Sequence, residues 1–218
     1  MQSLRLKICC ISSVAEADDA IEAGADAIGL VSAMPSGPGV IDEALIAEIC
    51  AHVGDRAETF LLTSKTDADA IIEQCVRLQP STVQLVDAVD SSVYARLGQV
   101  LPALKIVQVL HVIDVDVIDV ARELDGFVDF ILLDSGNPSA TVKQLGGTGR
   151  THNWEISARL IEAVNTPVFL AGGLRAENAA EAVAAVNPYG LDICSGVRTD
   201  GALDLAKLRA YMQAARGA

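Results

Sequence analysis

Apolar, β-branched-rich runs of five to eight residues recur along the whole chain, and after each one the apolar positions return at helical spacing. The runs cover 4–10, 27–31, 59–63, 82–86, 106–110, 128–133, 168–171 and 191–194, eight in all. The amphipathic stretches between and after them, 14–23, 42–52, 67–78, 91–101, 114–124, 154–164, 176–186 and 203–215, also number eight. Ser13, Asp67, Ser91, Asp114 and Asn153 each precede a periodic run and suit the N-cap of a helix, where a short polar side chain accepts from a free backbone amide. Gly24, Gly54 and Gly126 suit a left-handed residue closing one. Eight strand–helix units with no low-complexity linker predict an α/β fold, a (β/α)8 TIM barrel filling 1–218 as a single domain. An open doubly wound sheet also alternates strand and helix, but it usually has fewer strands and a glycine-bearing first turn, and the turn Cys10-Ile11-Ser12-Ser13 has no glycine.

Composition narrows the range of partners. Against 16 Lys and Arg stand 29 Asp and Glu, a formal net charge of −13, so a broad nucleic-acid or anionic-membrane contact is not expected. Aromatic residues are 4% of the chain, which predicts an aliphatic core. No apolar stretch approaches the roughly 18 residues that cross a bilayer. Lys7 interrupts the apolar N-terminus before the acidic stretch Glu16, Asp18, Asp19, unlike a secretory leader. Five cysteines without CxxC spacing fit neither a disulfide framework nor a structural zinc site, and point to a reducing cytoplasm. The composition leaves the oligomeric state open.

In such a barrel the chemistry sits where the strands end. Lys7 and Cys9 share one strand face, while Leu6, Ile8 and Cys10 share the other, apolar one. Cys9 thus faces the barrel mouth with a cation two residues below it, where a thiolate is favoured, which makes it a candidate base. A small buried hydrophobe is the plain alternative for Cys9, and the assignment for Cys10. Asp134 closes the apolar run Phe130-Ile131-Leu132-Leu133, where a carboxylate needs either a hydrogen-bonding partner or a chemical task. Asp129 and Asp192, early in or before their strands, are expected at the barrel bottom or paired with a lysine there. Three glycine turns, Gly146-Gly147-Thr148-Gly149, Gly172-Gly173 and Ser195-Gly196, fall in the last three strand-to-helix loops. Their amides predict a cradle for a phosphorylated ligand, with Gly147, Gly149, Gly172, Gly173, Ser195 and Gly196 as the contacts. The three histidines have no metal-binding spacing, so neither a metal nor another cofactor is expected.

These residues resemble the phosphoribosylanthranilate isomerase family of tryptophan biosynthesis, from end to end. Lys7-Ile8-Cys9 with Ile11 looks like its first strand, Ala25-Asp26-Ala27-Ile28-Gly29 its second, Val83-Gln84-Leu85 its fourth and Leu132-Leu133-Asp134-Ser135 its sixth. Gly146 to Gly149 with Trp154, Leu170-Ala171-Gly172-Gly173-Leu174 with Glu177-Asn178, and Asp192 to Val197 complete the series. The resemblance implies an Amadori rearrangement of an aminoaldose phosphate to an aminoketose phosphate. In it Asp134 is the general acid at the ribose ring oxygen, Cys9 is the base at C2, and the glycine turns hold the phosphate. Lys7, Gln84 and Arg198 are further candidate substrate contacts.

Several positions depart from the family pattern. Ser36-Gly37-Pro38-Gly39-Val40 stands where the family has Ser-Pro-Arg-Tyr-Val, so the arginine that grips the anthranilate carboxylate is missing. Val86-Asp87 replaces His-Gly after the fourth strand, Cys10 replaces the glycine after the base, and His152-Asn153 stands for Phe-Asp. Arg198 takes the place of a glutamate, and Leu203 that of a lysine. Arg198 or Arg150 is the expected substitute for the lost charge. Three functions fit: the tryptophan-pathway isomerase, a paralogue acting on another phosphorylated sugar amine, and a non-catalytic phosphosugar-binding barrel. The intact acid, base and cradles favour an isomerase.

Overall fold

The computed structural model describes residues 3–135 and 153–217. Eight parallel strands, β1 (Arg5–Ile8), β2 (Ala27–Val31), β3 (Glu58–Thr63), β4 (Thr82–Leu85), β5 (Lys105–His111), β6 (Phe130–Asp134), β7 (Val168–Leu170) and β8 (Gly190–Ile193), close in sequence order into a barrel. Eight helices, α1 (Val14–Glu22), α2 (Glu43–Val53), α3 (Ala68–Leu78), α4 (Ser91–Val100), α5 (Val117–Leu124), α6 (Trp154–Ala163), α7 (Ala176–Val186) and α8 (Leu205–Arg216), alternate with them. The expected (β/α)8 architecture is therefore the observed one.

Strand parity sets the two cores. Even-numbered residues of β1 and β2, such as Leu6, Ile8, Ile28 and Leu30, pack outward against the helices in one large aliphatic layer. The opposite faces meet inside the barrel, with Ala27, Val31, Phe60, Leu62, Val107, Val109, Phe130, Leu132 and Phe169 in contact. This inner core differs from the aliphatic expectation. Three of the four phenylalanines gather there, Phe169 packing edge-on against Phe60 at 5.9 Å and Phe130 at 5.5 Å, with Tyr189 joining at 5.3 Å. Gly190 leaves the space Phe169 needs, since a Cβ there would run into its ring.

Ser13, Asp67 and Asn153 cap their helices as expected. Two expected caps move. Asp90 rather than Ser91 caps α4, and Asp114 spends its carboxylate on the Asp116 amide, so that α5 begins later, at Val117. Past β8 the chain forms a short hairpin, β9 (Arg198–Thr199) with β10 (Ala202–Leu203), before Asp204 caps α8. Among the described residues no helix is long and apolar enough to cross a membrane.

Candidate active site

A cavity opens at the C-terminal ends of the strands, lined by Cys9, Cys10, Gln84, Asp134, Gly172, Gly173, Asp192, Cys194 and Ser195, with Val31, Met34, Leu62, Val86, Val109 and Leu132 as its apolar wall. Residues 36–38 of the second loop also line it. The structure thus brings Cys9 and Asp134 to one space. Their strands, β1 and β6, stand three places apart around the ring, with β7 and β8 between.

Asp134 ends β6 pointing inward, 8% exposed, with Oδ1 accepting from the Ser135 amide at 2.7 Å. Burial pushes its pKa up to about 6 against the opposing pull of that amide, and the nearby Asp192 charge adds to the rise. Cys9 follows β1 directly. Its thiol is held below the ordinary value, first by the Cys10 thiol and then by the Lys7 charge, against burial and Asp192. Space for this group comes from β2. A Cβ on Gly29 would lie 2.7 Å from Cys9 Sγ and 3.2 Å from Lys7 Nζ. Gly29→Ala is therefore expected to displace the thiol by a few tenths of an ångström and to lower kcat by about tenfold or more with a smaller change in KM, measured in steady-state kinetics.

Lys7 is fully buried and does not reach the cavity as a free cation. It pairs with Asp192 at 2.9 Å and lies 5.2 Å from the Phe60 ring centroid. Burial, the largest single influence, lowers its pKa, but the Asp192 carboxylate together with Cys9 and Cys10 outweighs it and carries the value up to about 12. Asp192, expected at the barrel bottom or with a lysine, does find the lysine, yet it also lines the cavity. Asp129 lies at the bottom, accepting from the Ile106 amide at 2.8 Å. Gln84 points inward from β4, 3% exposed, and its Oε1 has no partner among the described residues.

The loops after β7 and β8 form one ledge. Gly172 and Gly173 take φ of +85° and +64°, which side chains resist. Gly172 lies flat on Ser135, where a Cβ would meet its Oγ at 2.8 Å, and Gly196 lies against the Leu174 carbonyl with no room for a Cβ. Asn178 locks the first turn by accepting from the Arg175 amide at 2.9 Å and donating to the Gly173 carbonyl at 3.1 Å. Gly147 and Gly149, with Arg150 and His152, lie outside the described residues.

Two sequence expectations require correction. Arg198 is not a cavity residue: it is 9% exposed and bound to Glu16 at 2.9 Å, to the Gly201 carbonyl at 2.7 Å and to the Cys10 carbonyl. Its two terminal nitrogens tie β9 to the first loop, its Nε has no partner among the described residues, and the side chain does not line the cavity. Cys10, expected against the helices, instead turns inward and lines the cavity, because its φ of +63° breaks the strand alternation. Asp87 lies outside the lining and bonds the Ala88 amide at 3.1 Å. His111 closes β5 without lining the cavity, and burial lowers its pKa. All five cysteines are free thiols, and among the described residues no group of His, Cys, Asp and Glu could hold a metal ion.

A closed (β/α)8 barrel carrying a raised carboxyl and a lowered thiol at its C-terminal mouth defines the class: a barrel enzyme that moves protons on a small ligand. Residues 6–214 match the N-(5'-phosphoribosyl)anthranilate (PRA) isomerase family. The chain belongs to that family. It is 37% identical to the N-(5'-phosphoribosyl)anthranilate isomerase of Halorubrum lacusprofundi, over 92% of this chain and 91% of the relative. In fold it is similar to the phosphoribosyl anthranilate isomerase of Thermotoga maritima, with TM-score 0.85, 24% identity, and 99% of this chain and all of that one covered. It is similar also to a phosphoribosyl anthranilate isomerase solved in complex with reduced 1-(o-carboxyphenylamino)-1-deoxyribulose 5-phosphate, with TM-score 0.81, 22% identity, and 99% of this chain and all of that one covered.

Proposed function

We propose that the chain is a phosphoribosylanthranilate isomerase, converting the N-substituted phosphoribosylamine to its aminoketose phosphate, with Asp134 as general acid and Cys9 as general base. The observation that carries this is the opposed tuning of two groups in one cavity: a carboxyl whose pKa is raised to about 6, and a thiol held below its usual value. Asp134 gives its proton to the ribose ring oxygen as the C1–O bond breaks, and the nitrogen lone pair forms a protonated imine. The Cys9 thiolate then takes the C2 proton, and the electron pair moves into the imine, leaving an enolamine. Tautomerisation places one proton on C1 and releases one from the 2-hydroxyl, so both side chains return to their starting states. The protonated nitrogen is the electron sink throughout.

The phosphate rests on the ledge formed by Gly172, Gly173, Ser195 and Gly196, none of whose amides is used by another described residue. Gln84 offers its unpartnered Oε1 to a sugar hydroxyl or the bridging amine. The apolar wall of Val86, Val109 and Leu62 takes the aromatic aglycone. Free thiols at all five cysteines suit a reducing cytoplasm.

The test is the loss of anthranilate-type fluorescence when the purified protein meets phosphoribosylanthranilate. Turnover is expected, with kcat/KM bell-shaped in pH and one limb near pH 6, the two limbs belonging to the Asp134–Cys9 pair together. Absence of turnover, with inorganic phosphate still bound, would overturn the catalytic reading.

A further inference from the structure

Asp192 lines the cavity, 7% exposed, and no described residue donates a hydrogen bond to its Oδ1. Its Oδ2 lies 2.9 Å from Lys7 Nζ, which itself makes no hydrogen bond among the described residues, so charge alone holds the pair. A carboxylate can accept about four hydrogen bonds, and one buried without donors is costly. Two donors close to the cavity are engaged elsewhere. Cys10 turns its thiol to the Pro38 carbonyl at 3.7 Å, in space left by Gly39, where a Cβ would lie 2.5 Å from Cys10 Cβ. The Ser135 amide goes to Asp134 at 2.7 Å. The Asp192 carboxylate also stands beside Cys9. β1 pairs with β8 in a register that sets Lys7 against Asp192, and the Cys9 amide continues the ladder by donating to the Ile193 carbonyl at 2.7 Å. Asp192 is thus one inward-facing layer below Cys9 on the adjoining strand, whose end leads directly into Ser195 and Gly196 of the ledge.

We propose that Asp192 is a third catalytic residue: its carboxylate accepts from the 2-hydroxyl of the sugar and takes that proton when the enolamine becomes the ketone. This rests on the reading of Cys9 as the base at C2 and of the ledge as the phosphate seat. With the 5′ phosphate on the loops after β7 and β8, the sugar carbons lie over the end of β8. C2, whose proton goes to Cys9 on β1, then carries the hydroxyl that meets the carboxylate next door. The proton balance closes on this residue. Asp134 gives a proton to the ring oxygen, and Cys9 gains one from C2. In the last step the O–H bond at C2 breaks toward Asp192 and its electron pair forms the C2 carbonyl. The pair of the C1–C2 double bond takes the proton held by Cys9 onto C1, which restores the thiolate. The proton on Asp192 then returns to Asp134, the other carboxyl lining the same cavity.

The experiment measures, by titration calorimetry, binding of the aminoalditol phosphate made by reducing the product ketone to the epimer with the substrate's C2 configuration, and of its 2-deoxy and 3-deoxy counterparts. The proteins are the wild type, Asp192→Asn and the double variant Lys7→Met/Asp192→Asn, which leaves no unpaired charge in the barrel and keeps the comparison open should the single variant not fold. In the wild type, loss of the 2-hydroxyl is expected to weaken binding about 20-fold, and in the asparagine variants no more than about threefold. An equal loss in all three proteins, or a larger loss for the 3-deoxy ligand in the wild type, overturns the contact. The proton role is read in D2O with the substrate itself. The asparagine variants are expected to lose about 100-fold in kcat while deuterium still enters C2 of recovered substrate, since removal of the C2 proton precedes the step that Asp192 serves. Exchange that falls in step with kcat overturns the part in ketone formation. A wild type that shows the 2-hydroxyl dependence without turnover upholds the contact and instead overturns the isomerase reading.

Discussion

Replacing Asp134 with asparagine is expected to lower kcat by about 10³-fold while making the protein more stable at neutral pH. The amide keeps the shape of the carboxyl and can still accept from the Ser135 amide, but it cannot give a proton to the ring oxygen, so KM should stay within a few-fold. The stability gain follows from linkage. In the unfolded chain the carboxyl titrates near 3.8, and in the folded protein near 6, because burial penalises the charge. Below the lower value both states hold the proton and the wild type loses nothing. Between about 3.8 and 6 the unfolded chain ionises this carboxyl while the folded protein keeps it protonated, so stability falls, and above about 6 the loss is complete at about 3 kcal/mol. Asparagine never meets that cost. Thermal melts at pH 3.5 and pH 7.5 check this: the variant should gain at the higher pH only. An equal gain at both, or a retained kcat, would remove Asp134 from its role.

The second large effect belongs to Lys7. Lys7→Met is expected to destabilise the fold by about 3–5 kcal/mol, because it leaves the Asp192 carboxylate, 7% exposed, without its counter-charge inside the barrel. Adding Asp192→Asn should recover most of that loss, since the pair itself contributes little beyond a matched set of hydrophobic and neutral groups. Urea unfolding of the two single variants and the double closes the cycle. A single Lys7→Met variant as stable as the wild type would mean that Asp192 finds water or another partner instead.

Strand parity made much of this site legible. Lys7 and Cys9 on one face, Asp134 closing a strand, and the glycine turns in the last loops all follow from a period of two in a barrel whose strands end at the site. The contacts that need the closed ring do not follow from it. Lys7 lies beside Asp192 only because β1 pairs with β8, in a register that sets these two residues side by side. Glu16 and Arg198 are 182 residues apart, and neither carries a local sign of the other. Cys10 was misplaced because alternation assumes an extended backbone, and the turn is imposed by Arg198. The glycine usual at that place in the family was the available signal. The aromatic cluster escaped because an average over the chain does not see that the barrel lumen is a small compartment, in which four rings suffice.

The contact between Cys10 and Gly39 also bears on ancestry. A side chain at one of these places excludes a side chain at the other, since their first carbons would overlap. A lineage moving between the family's Gly–Tyr arrangement and this Cys–Gly one therefore has a single passable order of substitution, through an intermediate with glycine at both places. The reverse order demands two bulky groups in a volume that holds one.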